Sequence, residues 1–485
     1  MNVGNTQEYT TKWLVMAAVA MGVFLATIDG SIVNVALPTL VNELHTDFVT
    51  IQWVVLAYLL TITTLMLGIG RWADMIGKKN IYLAGFAIFT LGSLACGLSP
   101  SVYVLIGFRV VQATGSAMMM ALGTAIVTEN FPPRERGKAL GINGLIVSIG
   151  IIAGPTIGGL ILGSFSWHWI FFVNLPVGII GIIMAIRFVP NRIPGIRQKF
   201  DFLGAVTLFF ALICLLFSMT LGEINGFFTL PVFLLGTAFI GFLALFIRVE
   251  KTSPQPMIDL GLFRNPLFST NLVTGFITFI ASAGTVILMP FYLENLLHYS
   301  PGTVGLLMAV VPLSMGVFAP ISGVLSDRYG TRSLTVVGLV ILALGYAGVS
   351  TLSLQTTTWG YILRFLPVGI GAGIFQSPNN SAIMGEAPRE RLGVASGLLS
   401  LTRTMGQITG IAVLGAIWSG RVAARSLPAV FAETAEASPL VQVQALNDTT
   451  RVLIILLVMA IGLSIWAWVR ERRQASSPVQ VDFQQ

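Results

Sequence analysis

"GRWADMIGKK", residues 70–79, recurs further along the chain as "GVLSDRYGTR", residues 323–332. Each reads Gly-x-x-small-Asp-x-x-Gly-x-basic, and the two starts are 253 residues apart (323 − 70). Glycine at either end permits close helix approach and a tight turn. The aspartate can accept from a helix N-terminus or pair with an arginine. A second pair keeps nearly the same offset, "RVVQATGSA" from Arg109 and "RFLPVGIGA" from Arg364. The chain therefore reads as two related halves, each with one polar turn suited to a conformational switch. The switch candidates are Gly70, Asp74 and Gly77 in the first half, and Gly323, Asp327, Arg328 and Gly330 in the second.

What surrounds these turns is apolar. Of 485 residues, 55% are hydrophobic and 10% charged, with a mean hydropathy of +0.85. A soluble chain carries about 25% charged residues, so this is an all-α polytopic membrane protein. A span needs about 20 apolar residues. Fourteen fit: 13–36, 51–70, 80–98, 101–128, 137–163, 167–189, 201–222, 227–248, 267–294, 302–325, 334–353, 357–386, 392–419 and 450–470. The repeat makes 13–189 and 267–470 two six-helix bundles, with a two-helix insert and its linkers at 190–266. Short tails, 1–12 and 471–485, complete the chain. Parallel halves of this kind are how transporters build a central cavity with alternating access.

The net charge of +7 has a topological reading. Lys and Arg gather in alternate turns: Arg71, Lys78 and Lys79; Arg134, Arg136 and Lys138; Arg192, Arg197 and Lys199; Lys251 and Arg264. Arg328 and Arg332, Arg389 and Arg391, and Arg470, Arg472 and Arg473 continue the series. The turns after helices 1, 3, 5, 7, 9 and 11 hold none, and only the loop after helix 13 (Arg421, Arg425) departs from the pattern. By the positive-inside rule both termini are expected in the cytoplasm of a cell whose inner membrane holds the chain. No basic face or nucleic-acid motif forms, so nucleic acid is not an expected partner. Cys96 and Cys214 fall in apolar runs, and His45, His168 and His298 are scattered, so neither a disulfide framework nor a metal site is expected. "GIGAGI" (369–374) lies within an apolar helix with no strand before it, and no GxxxxGK[ST] loop occurs. No cofactor is expected.

Asp29, in "FLATIDGSIVNVALP" (24–38), is the one acid deep within a span. A carboxylate there costs roughly 2.5–3.5 kcal/mol on insertion scales. Asp29 lies eight residues before Leu37 and Arg109 eight after Ser101, on helices running in opposite directions. At 1.5 Å per residue both sit about 12 Å below the same surface, so a pair is possible. Two roles fit, a structural ion pair or a proton carrier. A carrier needs an acid strengthened when an arginine or water approaches and weakened when desolvated. In the repeat, Pro38 aligns with Pro290 and sets Asp29 against Ala281 and Ser282, so the second half has Arg364 but no matching acid. Arg403 is a third arginine within a span, and it either reaches the interface or stays at depth.

"GIIAGPTIGG" (150–159) places Gly150, Gly154, Gly158 and Gly159 around Pro155. Small residues at this spacing pack helices closely, and a mid-helix proline bends them. The second half keeps Gly406 and Gly410 but has Ile411 where the proline would fall. Tyr58, Gln112, Asn143, Gln376 and Asn379 sit at cavity depth, either as substrate contacts or as helix–helix hydrogen bonds. The Met118–Met120 run suits an adaptable apolar wall or core filling.

These segments resemble the major facilitator superfamily. The Asp74 turn is similar to its signature loop between helices 2 and 3. Arg109, Gln112 and Gly115 are similar to its helix-4 motif, and 150–159 to its helix-5 antiporter motif. "TIDGSIVNVALP" (27–38) and "WHWIFFVNLPVG" (167–178) resemble helix-1 and helix-6 signatures of the fourteen-helix drug:proton antiporter branch. Two positions depart: Met75 stands where arginine is common, and His168 replaces an arginine between tryptophans. The resemblance implies a proton-coupled secondary transporter exporting hydrophobic or cationic small molecules, with Asp29 and Arg109 coupling the proton. It also admits accessory periplasmic adaptor proteins as partners. An exporter of an endogenous lipid, siderophore or metabolite would carry the same motifs. A membrane enzyme or receptor is disfavoured, because one buried acid makes no catalytic constellation and no sensory domain fits the loops.

Overall fold

The computed structural model describes residues 11–132, 135–191, 201–253, 260–387, 392–425 and 437–476. These residues form fourteen long helices. In the first half they are α1 (Lys12–Glu43), α2 (Phe48–Ile76), α3 (Lys78–Gly97), α4 (Val102–Asn130), α5 (Arg136–Ser164) and α6 (Asn174–Phe188), the last introduced by a short turn at Trp169–Phe172. Then come α7 (Phe202–Asn225) and α8 (Leu230–Thr252). The second half holds α9 (Pro266–Phe291, running on through a π-turn at Tyr292–Leu296) and α10 (Pro301–Met308 and Val310–Tyr329). It ends with α11 (Thr331–Val349), α12 (Thr358–Gly385), α13 (Leu392–Arg425) and α14 (Pro439–Ser476). Thirteen are long and apolar enough to cross a membrane; α13, at 34 residues, is long enough but less apolar.

Local chemistry explains where the helices begin and turn. Asp47, Ser101 and Thr357 cap α2, α4 and α12 by accepting from the backbone N–H three residues on. Ser300 does the same for α10, where Pro301 occupies the first helical position. Gly77 and Gly330 each end one helix and begin the next with φ of 102° and 83°. That left-handed backbone favours glycine, and the two glycines occupy the same place in the two repeats.

The duplication recurs in the packing. α1 lies against α5, α3 against α4 and α2 against α4; α9 lies against α13, α11 against α12 and α10 against α12. α7 bridges α2 and α13, helped by Trp53 against Phe217 at 5.0 Å, and α8 packs on α7. Contacts across the two halves gather at one face, opposite the basic turns. There Thr39 donates to Glu294 (3.3 Å), and Phe48 meets Phe291 and Trp418 (4.9 and 4.7 Å). α5 meets α10 where Gly159 and Gly305 leave no room for a side chain: a Cβ on Gly305 would lie 2.2 Å from the Pro155 carbonyl oxygen.

The largest departure from the sequence reading is α14, which begins at Pro439 instead of residue 450. Its first turns, "PLVQVQALNDTT", are too polar to count as a span. They are accommodated because Gln442, Thr449 and Thr450 are buried with their side chains bonded to backbone carbonyls.

Candidate functional site

Asp29 is completely buried and sits in the bend of contacts among α1, α2, α3, α4 and α6. Its three partners come from two other helices. Arg109 Nη1 of α4 donates to Oδ2 at 2.5 Å, Gln112 Nε2 of α4 to Oδ1 at 2.7 Å, and Asn174 Nδ2 of α6 to Oδ1 at 2.9 Å. Arg109 also donates from Nε to the Val54 carbonyl (3.0 Å) and from Nη1 to Gln112 Oε1 (2.8 Å). Ser93 of α3 accepts from Gln112 (2.6 Å) and Asn174 (3.2 Å). The Arg109 guanidinium lies 4.0 Å over the Tyr58 ring, whose hydroxyl stands 2.9 Å from Ser116 Oγ and 3.2 Å from the Ala26 carbonyl.

A buried ion pair survives only when its geometry is good and its remaining donors and acceptors are met. Here the carboxylate accepts three bonds, and the ring face of Tyr58 covers the cation. One atom is left over. Arg109 Nη2 is buried without an acceptor. The cluster is therefore held tightly at the carboxylate and less completely at the guanidinium. Neutralising Asp29 would remove the anion that offsets Arg109 and leave a buried, uncompensated cation, a large incentive for the surrounding helices to move.

The depth matching of the sequence thus brings Asp29 and Arg109 into direct contact. The five polar residues expected near a cavity do not form one group. Tyr58 and Gln112 are buried inside the Asp29 cluster. Asn143, on α5, is half-buried with its Oδ1 unbonded. On α12, Gln376 is half-buried and Asn379 is buried, donating to the Asn271 carbonyl at 3.2 Å. Met118 and Met119 are buried against Gly85 as core. Ser93 and Asn174 escaped the sequence reading. A serine in an apolar helix is common enough to carry no signal. Asn174 was visible only as part of the "WHWIFFVNLPVG" segment, in which His168 stacks on Trp167 at 3.9 Å.

The α5 glycines divide their work. Gly150, Gly154 and Gly158 face α1: a Cβ on each would fall 2.0 Å from Thr27 Oγ1, 1.8 Å from Ser31 Oγ and 2.8 Å from Ile32 Cγ1. Ser31 Oγ also donates to the Gly150 carbonyl (3.1 Å). Gly159 and the Pro155 carbonyl instead face α10. α5 is thereby fixed to the helix that carries Asp29 on one side and to the other half of the molecule on the other.

At the polar turns, Lys78 at the start of α3 pairs with Glu129 at the end of α4. In the second half Arg332 at the start of α11 pairs with Glu386 at the end of α12 (3.0 Å) and with Glu471 of α14 (2.6 Å). Arg328 is exposed, and Gly323 lies against Ser377. Gly70 lies within α2, and the side chains of Asp74 and Asp327 lie outside the described residues.

The sequence profile of the Major Facilitator Superfamily matches residues 19–411. The riboflavin transporter RibZ of Clostridioides difficile (strain 630) is 37% identical over 409 residues, covering 84% of this chain and 88% of that protein. The multidrug resistance protein Stp of Mycobacterium tuberculosis (strain ATCC 25618 / H37Rv) is 32% identical over 421 residues, covering 86% and 78%. Among solved structures, a bacterial homolog of the human lysosomal transporter Spinster, in an inward-facing and unoccupied conformation, aligns with a TM-score of 0.68. It covers 97% of this chain and 99% of that one at 18% identity, a likeness of fold.

Proposed function

The chain belongs to the Major Facilitator Superfamily, a membrane transporter and not an enzyme, and on that premise we propose that it exports a hydrophobic or cationic small molecule in exchange for protons. The membrane is the inner membrane, with the basic turns and both termini on the cytoplasmic side. The observation that carries this reading is the Asp29 cluster. It is a fully buried acid held by Arg109, Gln112 and Asn174, on the helix that also packs against the glycine-rich α5.

In the proposed cycle the two halves rock about a central cavity. Contacts across the halves gather opposite the basic face, which supports a conformation open to the cytoplasm. Release of substrate on the outer side accompanies protonation of Asp29. Return to the inward-open state restores the Asp29–Arg109 pair and delivers the proton to the cytoplasm. One proton moving down 100 mV yields about 2.3 kcal/mol, enough for modest concentrative export. The Lys78–Glu129 and Arg332–Glu386 pairs tie the polar turns to the ends of α4 and α12, so the switch turns move with the helices of their own half.

A second reading, an endogenous vitamin-like or metabolite substrate, is favoured by the relation to RibZ. Reconstituted vesicles test the shared core of both. Substrate movement against its gradient should follow an imposed pH gradient and collapse with an uncoupler; transport indifferent to the uncoupler would remove the proton from the mechanism.

A further inference from the structure

Arg403 lies on α13, eleven residues past Leu392, about 16 Å along the helix axis. An arginine side chain is too short to carry its guanidinium back to the basic face from there. The side chain instead stands beside Phe279 of α9, its guanidinium carbon 6.0 Å from the ring centroid. Among the described residues it has no hydrogen bond and no ion pair, only this ring contact. It is also not sealed away. Arg403, Phe276 and Phe279 are all half-buried, unlike Asp29 and Arg109, which are closed off completely.

An ionised group at this depth faces protein interior or a water-filled cavity, since hydrocarbon is too costly for it. The nearby backbone explains why it is held in place. One turn on, Gly406 brings α13 so close to α9 that a Cβ would lie 2.7 Å from Phe279 Cβ and 2.9 Å from the Phe276 carbonyl oxygen. The two helices therefore pack tightly beside Arg403 and the two phenylalanines. Asp29 and Arg109 pair with each other inside the first half, whereas Arg403 faces no anion among the described residues.

We propose that Arg403 is an anion subsite of the transport cavity, receiving the carboxylate, sulfonate or phosphate of an aromatic substrate whose rings lie on Phe276 and Phe279. A planar guanidinium binds oxyanions through paired N–H donors, and the phenyl rings give the apolar part of the ligand a wall to stack on. The subsite narrows the substrate class of the proposed exporter toward anionic aromatic compounds and away from cations, which Arg403 repels. It rests on the reading of the chain as a transporter of small molecules, but not on proton coupling.

A matched probe series tests it: 2-naphthoate, 2-naphthylmethanol and 2-naphthylmethylammonium, which share a ring system and differ in charge. Binding to the purified full chain in nanodiscs is followed by isothermal calorimetry, without any gradient. The wild type is expected to bind the carboxylate at least about tenfold more tightly than the alcohol, and the ammonium most weakly. Arg403→Gln should erase the carboxylate preference while leaving the alcohol unchanged, and Arg403→Lys should keep part of it. Retained binding of the alcohol shows that the variants are folded. Equal or absent binding of the three probes by the wild type, or a preference that survives Arg403→Gln, overturns the subsite. Because no proton gradient enters the experiment, either failure leaves the coupling role of Asp29 standing.

Discussion

Replacing Gly305 with alanine should weaken the seam between α5 and α10 and shift the protein toward a conformation open at that face. The new methyl would stand 2.2 Å from the Pro155 carbonyl oxygen and 3.0 Å from Gly159 Cα, where ordinary contact begins near 3.4 Å. The shortfall against the oxygen is 3.4 − 2.2, or 1.2 Å. Both obstacles are backbone, so no side-chain rotation relieves them; the two helices must part. Overpacking of this kind costs about 1–3 kcal/mol. Alanine also favours a helix over glycine by about 1 kcal/mol, but in both conformations alike, so that gain does not alter the balance. The population ratio should therefore move roughly 5- to 150-fold. Electron–electron double resonance between nitroxides at the exposed positions Leu98 and Trp359, one on each half, reads the opening as a new long-distance component. Gly107→Ala is the control, because nothing lies within 4 Å of a Cβ there. A distance distribution identical for Gly305→Ala and Gly107→Ala would refute the idea that this glycine contact seals the face.

Gly92→Ala should destabilise the first half by about 1–3 kcal/mol and loosen the acid cluster, since its methyl would meet the Gln112 backbone at 2.7–2.8 Å. Thermal unfolding in detergent measures the first effect, and faster hydrogen exchange in α3 and α4 the second. Arg332→Gln should lower stability by about 3 kcal/mol, because it strips a buried arginine from Glu386, Glu471 and Asn271. Glu471→Gln should change it by less than about 1 kcal/mol, its side chain being 48% exposed. Equal losses from the two substitutions would contradict this division.

Much of the fold was legible because hydrocarbon leaves a chain few options. Apolar runs near 20 residues marked the spans, and the paired Asp74 and Asp327 turns marked the duplication. Where polar residues satisfy one another inside the protein, that signal fails, as it did for the first turns of α14. The Asp29–Arg109 contact was readable because helix rise converts residue counts into depth. Depth does not give azimuth. Sequence spacing could not show that Gly158 faces α1 while its neighbour Gly159 faces α10, nor that Asn174 reaches the carboxylate and Ser93 accepts from Asn174 and Gln112 behind it. Arg403 is the instructive case: the sequence left open whether it reached the interface, and only its position beside Phe279 decides for depth.

The central claim is that Asp29 carries the proton, and it is tested by substrate-driven proton release from proteoliposomes bearing Asp29→Asn. Because this change alone leaves Arg109 buried without an anion, a cost of about 3–5 kcal/mol, the charge-neutral double variant Asp29→Asn/Arg109→Gln is measured beside it. Both should still bind substrate, and neither should release protons when substrate is added. Proton release at the wild-type level from either variant would contradict the claim and leave the pair a structural tie.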